Sequence, residues 1–144
     1  MTKRRTAFSI FIMLCLAALL LASVIVLPRR ICFKGSESYS FYLGNTSADC
    51  REVIVDGQAA HATRLFLGKI GGESATYKSL DLERFLAEVD GEIVKTQEID
   101  GTMNYYCKAN LPYSINLFGE EINLHVCVRA DSVKVGTPII FGGY

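Results

Sequence analysis

The chain has 144 residues, its fifteen Lys and Arg balance its fifteen Asp and Glu, and half of its residues are hydrophobic. The neutral total hides a division: Lys3, Arg4, Arg5, Arg29 and Arg30 precede residue 31 while every acid follows it, leaving residues 31–144 with ten bases, fifteen acids and a net charge of −5. Phosphate neutralisation supplies most non-specific nucleic-acid affinity, so an acidic segment without a Lys/Arg cluster argues against a nucleic-acid partner and against direct docking on anionic headgroups.

Residues 7–27, AFSIFIMLCLAALLLASVIVL, form an uncharged run whose only hydroxyl-bearing members are Ser9 and Ser23. As a helix it would rise roughly 30 Å, the thickness of a bilayer's hydrocarbon core. Basic residues flank it on both sides, as expected where side chains meet headgroups. A cleaved signal would need a small-x-small site, but Ala18, Ala22 and Ser23 have Leu16, Leu20 and Leu21 two positions earlier. The expectation is therefore an uncleaved membrane anchor through residues 7–27, with a cleaved signal and a buried core helix as the alternatives. The chain divides into an N-terminal anchor with basic flanks, 1–30, and an extracytoplasmic domain, 31–144. The short N-terminal tail makes cytoplasm-in, domain-out the default.

Cys15 lies within the apolar run and reads as a small hydrophobe. Cys32, Cys50, Cys107 and Cys127 remain, with no C-x-x-C spacing that would suggest zinc. If disulfides form, Cys32 with Cys50 is the expected pair, closing a loop within one hairpin. Four free, part-buried thiols are the alternative.

Along the second segment, residues 38–43 alternate Tyr39, Phe41 and Leu43 with Ser38, Ser40 and Tyr42, and residues 50–55 supply a second strand. Asn45-Thr46-Ser47 matches a glycosylation acceptor, a pattern common by chance. Residues 58–70 place Ala59, Ala62, Phe66 and Ile70 on one helical stripe that stops at Gly71 and Gly72. Leu82, Phe85, Leu86 and Val89 mark a second helix, with Ser79 or Asp81 as N-cap and Gly91 beyond its end. Residues 92–99 and 102–109 flank Asp100-Gly101, a hairpin signal. Residues 113–118, a turn at Gly119-Glu120, and residues 122–130 follow, with Ile122, Leu124, Val126 and Val128 inward and Asn123, His125, Cys127 and Arg129 outward. The uncharged stretch 138–141 predicts a buried final strand. The class is α+β: one antiparallel sheet with two helices on one face.

Tyr105-Tyr106-Cys107, Ile122-Asn123-Leu124-His125-Val126 and the ending Val135-Gly136-Thr137-Pro138-Ile139-Ile140-Phe141-Gly142-Gly143-Tyr144 resemble the C-terminal part of the bacterial YwmB-type family of exported proteins, and Phe41-Tyr42-Leu43-Gly44 is a weaker echo. That family carries a TATA-box-binding-protein-like label, and the resemblance implies a curved antiparallel sheet with helices on one side. It implies neither DNA binding nor any catalytic residue.

Cys127 with His125 is the sharpest chemical candidate, a conceivable thiolate–imidazole pair on one strand face. Residues two apart on a strand have Cα atoms roughly 6.6 Å apart and parallel side chains, which makes a direct hydrogen bond awkward. The plainer reading is a surface histidine beside a half-buried thiol. Gly68 to Gly72 fails as a phosphate loop, because Ile70 stands where Ser or Thr is needed and Thr63 where the first glycine is needed. No metal constellation or cofactor motif is present, and Glu120 and Glu121 read as solvated turn acids. Two classes remain: a non-enzymatic interaction module of the bacterial cell envelope, meeting an envelope protein or wall component, or a small exported cysteine-dependent enzyme.

Overall fold

The computed structural model describes residues 2–26, 29–44, 46 and 48–141. Leu27 at the end of the apolar run, Asn45 and Ser47 of the glycosylation pattern, and the final Gly142-Gly143-Tyr144 lie outside the described residues. Two compact units are present, Met1–Arg30 and Ile31–Tyr144.

The first unit is one helix, α1 (Thr2–Val26). Its stretch Thr6–Val24 has a mean hydropathy of 2.7 over its most apolar window and is long and apolar enough to cross a membrane. Ser23 Oγ donates to the Leu20 carbonyl at 2.7 Å. That bond returns the hydroxyl to its own helix, which is how a polar group is accommodated without water.

The second unit is a seven-stranded, wholly antiparallel sheet in the order β2-β1-β3-β9-β8-β5-β4. Its strands are β1 (Ser38–Leu43), β2 (Arg51–Asp56), β3 (Gly72–Tyr77), β4 (Glu92–Ile99), β5 (Thr102–Lys108), β8 (Leu124–Val128) and β9 (Val133–Thr137). A separate ribbon pairs β6 (Ile115–Leu117) with β7 (Glu120–Ile122). The helices α2 (Ala60–Phe66) and α3 (Leu82–Glu88) send Ala60 and Phe85 into the same buried cluster as Tyr39, Phe41, Ala75, Cys107, Leu124, Val126, Val133 and Val135. The predicted α+β architecture, with both helices on one sheet face, is the one observed.

Local chemistry accounts for most boundaries. Asp81 caps α3 by accepting the Arg84 N–H at 3.1 Å. Asp100 and Gly101 both have positive φ, 50° and 74°, as a two-residue primed turn requires. The next hairpin turns on Phe118 and Gly119, with φ of 59° and 81°, one residue earlier than its sequence suggests. The inward strand read over 122–130 is two elements, because Ile122 belongs to the ribbon and the break falls at Asn123. The Asn123 side chain there accepts the Ala109 N–H at 2.6 Å and donates to the Ala109 carbonyl at 2.5 Å.

Three further expectations are corrected. At α2, Ala59, Ala62 and Phe66 of the expected stripe face solvent, Phe66 at 89% exposure, while Ala60 and Arg64 are buried; Ile70, beyond the helix, is buried. Residues 138–141 do not form a strand: the final strand is β9, the fourth of seven. Beyond it Ile140 and Phe141 fold back and bury themselves on the sheet face opposite the helices. Gly136 permits that close return, since a Cβ there would sit 2.8 Å from Ile140 Cγ1 and 3.0 Å from its nitrogen. Phe141 meets Tyr42 edge-on at 4.9 Å between ring centroids. The third is β3, a strand that the sequence reading omits altogether.

Candidate functional site

β8 places His125 and Cys127 on the face away from the helices, in register with Tyr106 and Asn104 of β5. Ile140 of the returning segment packs on that face at Gly136 and His125, and His125 and Cys127 are each only 1% exposed. The expected surface histidine is therefore a core histidine. Its Nδ1 accepts the Ile140 N–H at 3.4 Å, which leaves the proton on Nε2, donated to Asn104 Oδ1 at 3.0 Å. Asn104 Nδ2 in turn donates to the Thr102 carbonyl at 3.2 Å. The ring stacks on Tyr106, with centroids 4.6 Å apart and planes 15° apart. Both ring nitrogens are thus engaged in holding the fold, and neither is left to activate a thiol.

Burial pushes the His125 pKa down to about 4. A histidine that folds neutral contributes stability that is complete above its unfolded pKa near 6.5 and is lost as pH falls through 4. At one pKa unit per 1.36 kcal/mol the loss should reach about 3 kcal/mol. Urea unfolding of the full chain in detergent at pH 7 and at pH 4 should therefore show the wild type losing more stability than His125→Gln, and parallel losses would contradict it.

The Cys32 to Cys50 disulfide is not formed, and all five cysteines are free thiols. Cys32 packs against the core on the helix-covered side. Cys50 precedes β2 by one residue, on the parity of Glu52 and Ile54, and acts electrostatically on Tyr42 of the opposite face. Cys107 pairs across to Leu124, and Cys127 across to Asn104, so those two thiols occupy opposite faces, as parity predicts. Burial raises Cys107 to about 11 and also raises Cys127, where Arg129 and Lys134 pull the other way. Such thiols are poor nucleophiles at neutral pH.

His61 is exposed on α2. Arg64 Nη1 lies 3.4 Å from the Leu67 carbonyl and 3.3 Å from that of Gly68, so the glycine-bearing loop serves as a helix end. Glu120 and Glu121 are exposed in β7. Among the described residues no group of three or more His, Cys, Asp and Glu could hold a metal ion.

One buried polar cluster has no sequence signal. Glu73, fully buried on β3, accepts the Cys32 N–H on Oε1 at 2.8 Å, while the Phe33 N–H donates to the Tyr39 hydroxyl at 3.3 Å. Burial raises the Glu73 pKa; hydrogen bonds from Cys32 and Tyr39 and the charge of Arg64 oppose that shift. The same carboxylate, after burial itself, holds the Cys32 thiol far above its ordinary pKa. These contacts pin residues 32 and 33 onto the sheet and leave no activated nucleophile. Nearby, a hollow of about 390 Å³ is lined by Phe33, Leu80, Phe85 and Val89, with Asp81 and Arg84 at its polar side.

The accessible chemistry lies instead at the sheet margins. β4 is exposed along its whole length, and β2 at Arg51, Glu52, Ile54 and Asp56, with Ile54 at 65% exposure. Comparisons with protein-family models, with curated proteins and with solved structures find no match.

Proposed function

We propose that this protein is a membrane-anchored, extracytoplasmic interaction module of the bacterial cell envelope, acting by binding and without catalysis. The observation that carries the proposal is the pairing of a bilayer-length apolar helix with a separate acidic unit whose histidine–cysteine candidate is buried and hydrogen-bonded into the fold. The partner in this reading is an envelope protein or wall component, and the orientation is cytoplasm-in. The resemblance to the YwmB-type family belongs to the same proposal. It rests on the residues quoted above, and the curved sheet with helices on one side that it implies is compatible with the sheet and helices described.

The competing reading is a cysteine-dependent enzyme, and thiol kinetics separate the two. In the folded full chain at pH 7, Cys32, Cys107 and Cys127 should react with iodoacetamide at least about a hundredfold more slowly than an unperturbed thiol, because thiolate fraction and access both fall. A Cys127 that alkylates as fast as a free thiol, and is protected by His125→Gln, would favour the enzyme.

A further inference from the structure

The two outer strands of the sheet are protected unequally. β4 carries the devices that discourage strand addition: a register break between Ile93 and Lys95, the acids Glu92 and Glu98, and a lysine in mid-strand. Lys95 is also held with its ammonium 3.6 Å from the centre of the Phe118 ring. β2 also carries charges, at Arg51, Glu52 and Asp56, but it lacks the register break and the mid-strand lysine. Arg51–Asp56 pairs with β1 in unbroken register over all six residues, without proline, lysine or bulge, and its centre is Val53-Ile54-Val55. Glu52, Ile54 and Asp56 point to one face, and Arg51, Val53 and Val55 to the other, as their register with Tyr42 and Tyr39 requires.

A second copy of the chain fits this edge poorly. Two-fold antiparallel pairing sets residues of one face opposite each other, and the two registers covering most of β2 place Glu52 opposite Ile54 or opposite Asp56. Neither acid then meets a cation, and one register sets like charges together.

We propose that the β2 edge receives an extended, antiparallel segment of another polypeptide carrying basic, apolar and basic side chains at alternating positions, facing Asp56, Ile54 and Glu52 respectively. This rests on the reading of the protein as an interaction module and names the chemistry of its partner. Main-chain bonds to the open edge supply affinity, whereas the two acids and the exposed isoleucine between them supply selectivity.

The test uses the full chain in uncharged lipid nanodiscs and the peptide acetyl-Lys-Val-Val-Val-Lys-Glu-amide. Hydrogen exchange should slow at alternating amides of residues 51–56 on binding, and added salt should weaken the complex. Replacing both peptide lysines by glutamate, or Ile54→Lys in the protein, should weaken binding by at least about tenfold. Ile54 is exposed, so that variant should melt as the wild type does. Absence of binding to the folded chain, protection on β4 instead, or indifference to both changes would overturn the proposal. Its failure is separable from that of the module reading, which stands or falls on membrane recovery and orientation, measured without the peptide.

Discussion

A chain ending at Thr137 should not fold cooperatively. Ile140 and Phe141 are 4% and 8% exposed, and they seal the face that holds Tyr42, Ser74, Asn104 and His125. Large-to-small replacement of a buried Ile costs roughly 2 to 5 kcal/mol and of a buried Phe roughly 3 to 5 kcal/mol, so losing both should cost about 5 to 10 kcal/mol. Ordinary domains have about 5 to 15 kcal/mol in total. The truncation also exposes the polar network and removes the Ile140 N–H from His125. Near-ultraviolet circular dichroism should show no cooperative melt for the truncated protein, while Phe141→Ala alone should melt cooperatively at a lower midpoint. An undiminished midpoint after truncation would mean that this segment does not hold the outer face together.

Arg64→Met should destabilise the helix-covered side, and its cost should depend on pH. Arg64 is 6% exposed and its charge is one of the influences that keep the Glu73 carboxylate tolerable in the core. Its loss would leave the Leu67 and Gly68 carbonyls without a charged donor, each such bond being worth about 1.5 to 3 kcal/mol, and would remove a positive charge that favours the Glu73 carboxylate. Glu73 already has a folded pKa above the ordinary 4.5. The stability that its neutral form contributes is therefore present below pH 4.5 and lost as pH rises through the folded value. Without Arg64 that value rises further, so the variant should suffer more at pH 7 than at pH 4. Adding Glu73→Gln, which keeps an acceptor for the Cys32 N–H, should recover much of the loss at pH 7. A deficit independent of pH and unchanged in the double variant would show that Arg64 acts by packing alone.

The sequence made the apolar helix, β1, the Asp100-Gly101 hairpin and α3 legible because each has a local cause: an uncharged run, strict alternation, two residues that accept positive φ, an aspartate cap. β3 was not legible. Gly-Glu-Ser-Ala-Thr-Tyr has no large apolar alternation, since its small residues lie under close neighbours on both faces and its one acid is buried. For α2, a stripe drawn through Ala59, Ala62 and Phe66 assumes a helix long enough to select its largest apolar residue. The helix has seven residues and buries Arg64 instead, whose Nη1 donates to the Leu67 and Gly68 carbonyls at the helix's own end while its buried Nε has no hydrogen-bond partner. The face of His125 was legible, but its burial was not. Alternation separates two faces of a sheet, yet it does not reveal that a returning C-terminal segment covers the second one. The expected surface histidine thereby becomes a core residue beside the buried Cys127, and all five cysteines are free.

Fractionation of cells expressing the full chain, combined with a membrane-impermeant amine reagent, bears most directly on the proposed anchored and outward-facing module. The 15.9 kDa chain should stay in the membrane fraction after alkaline carbonate washing. Lys78, whose side chain is 83% exposed, should be labelled in intact cells, and Lys3 only after lysis. A shortened soluble form starting near Ser23, or Lys3 labelled in intact cells while Lys78 is protected, would contradict the proposal.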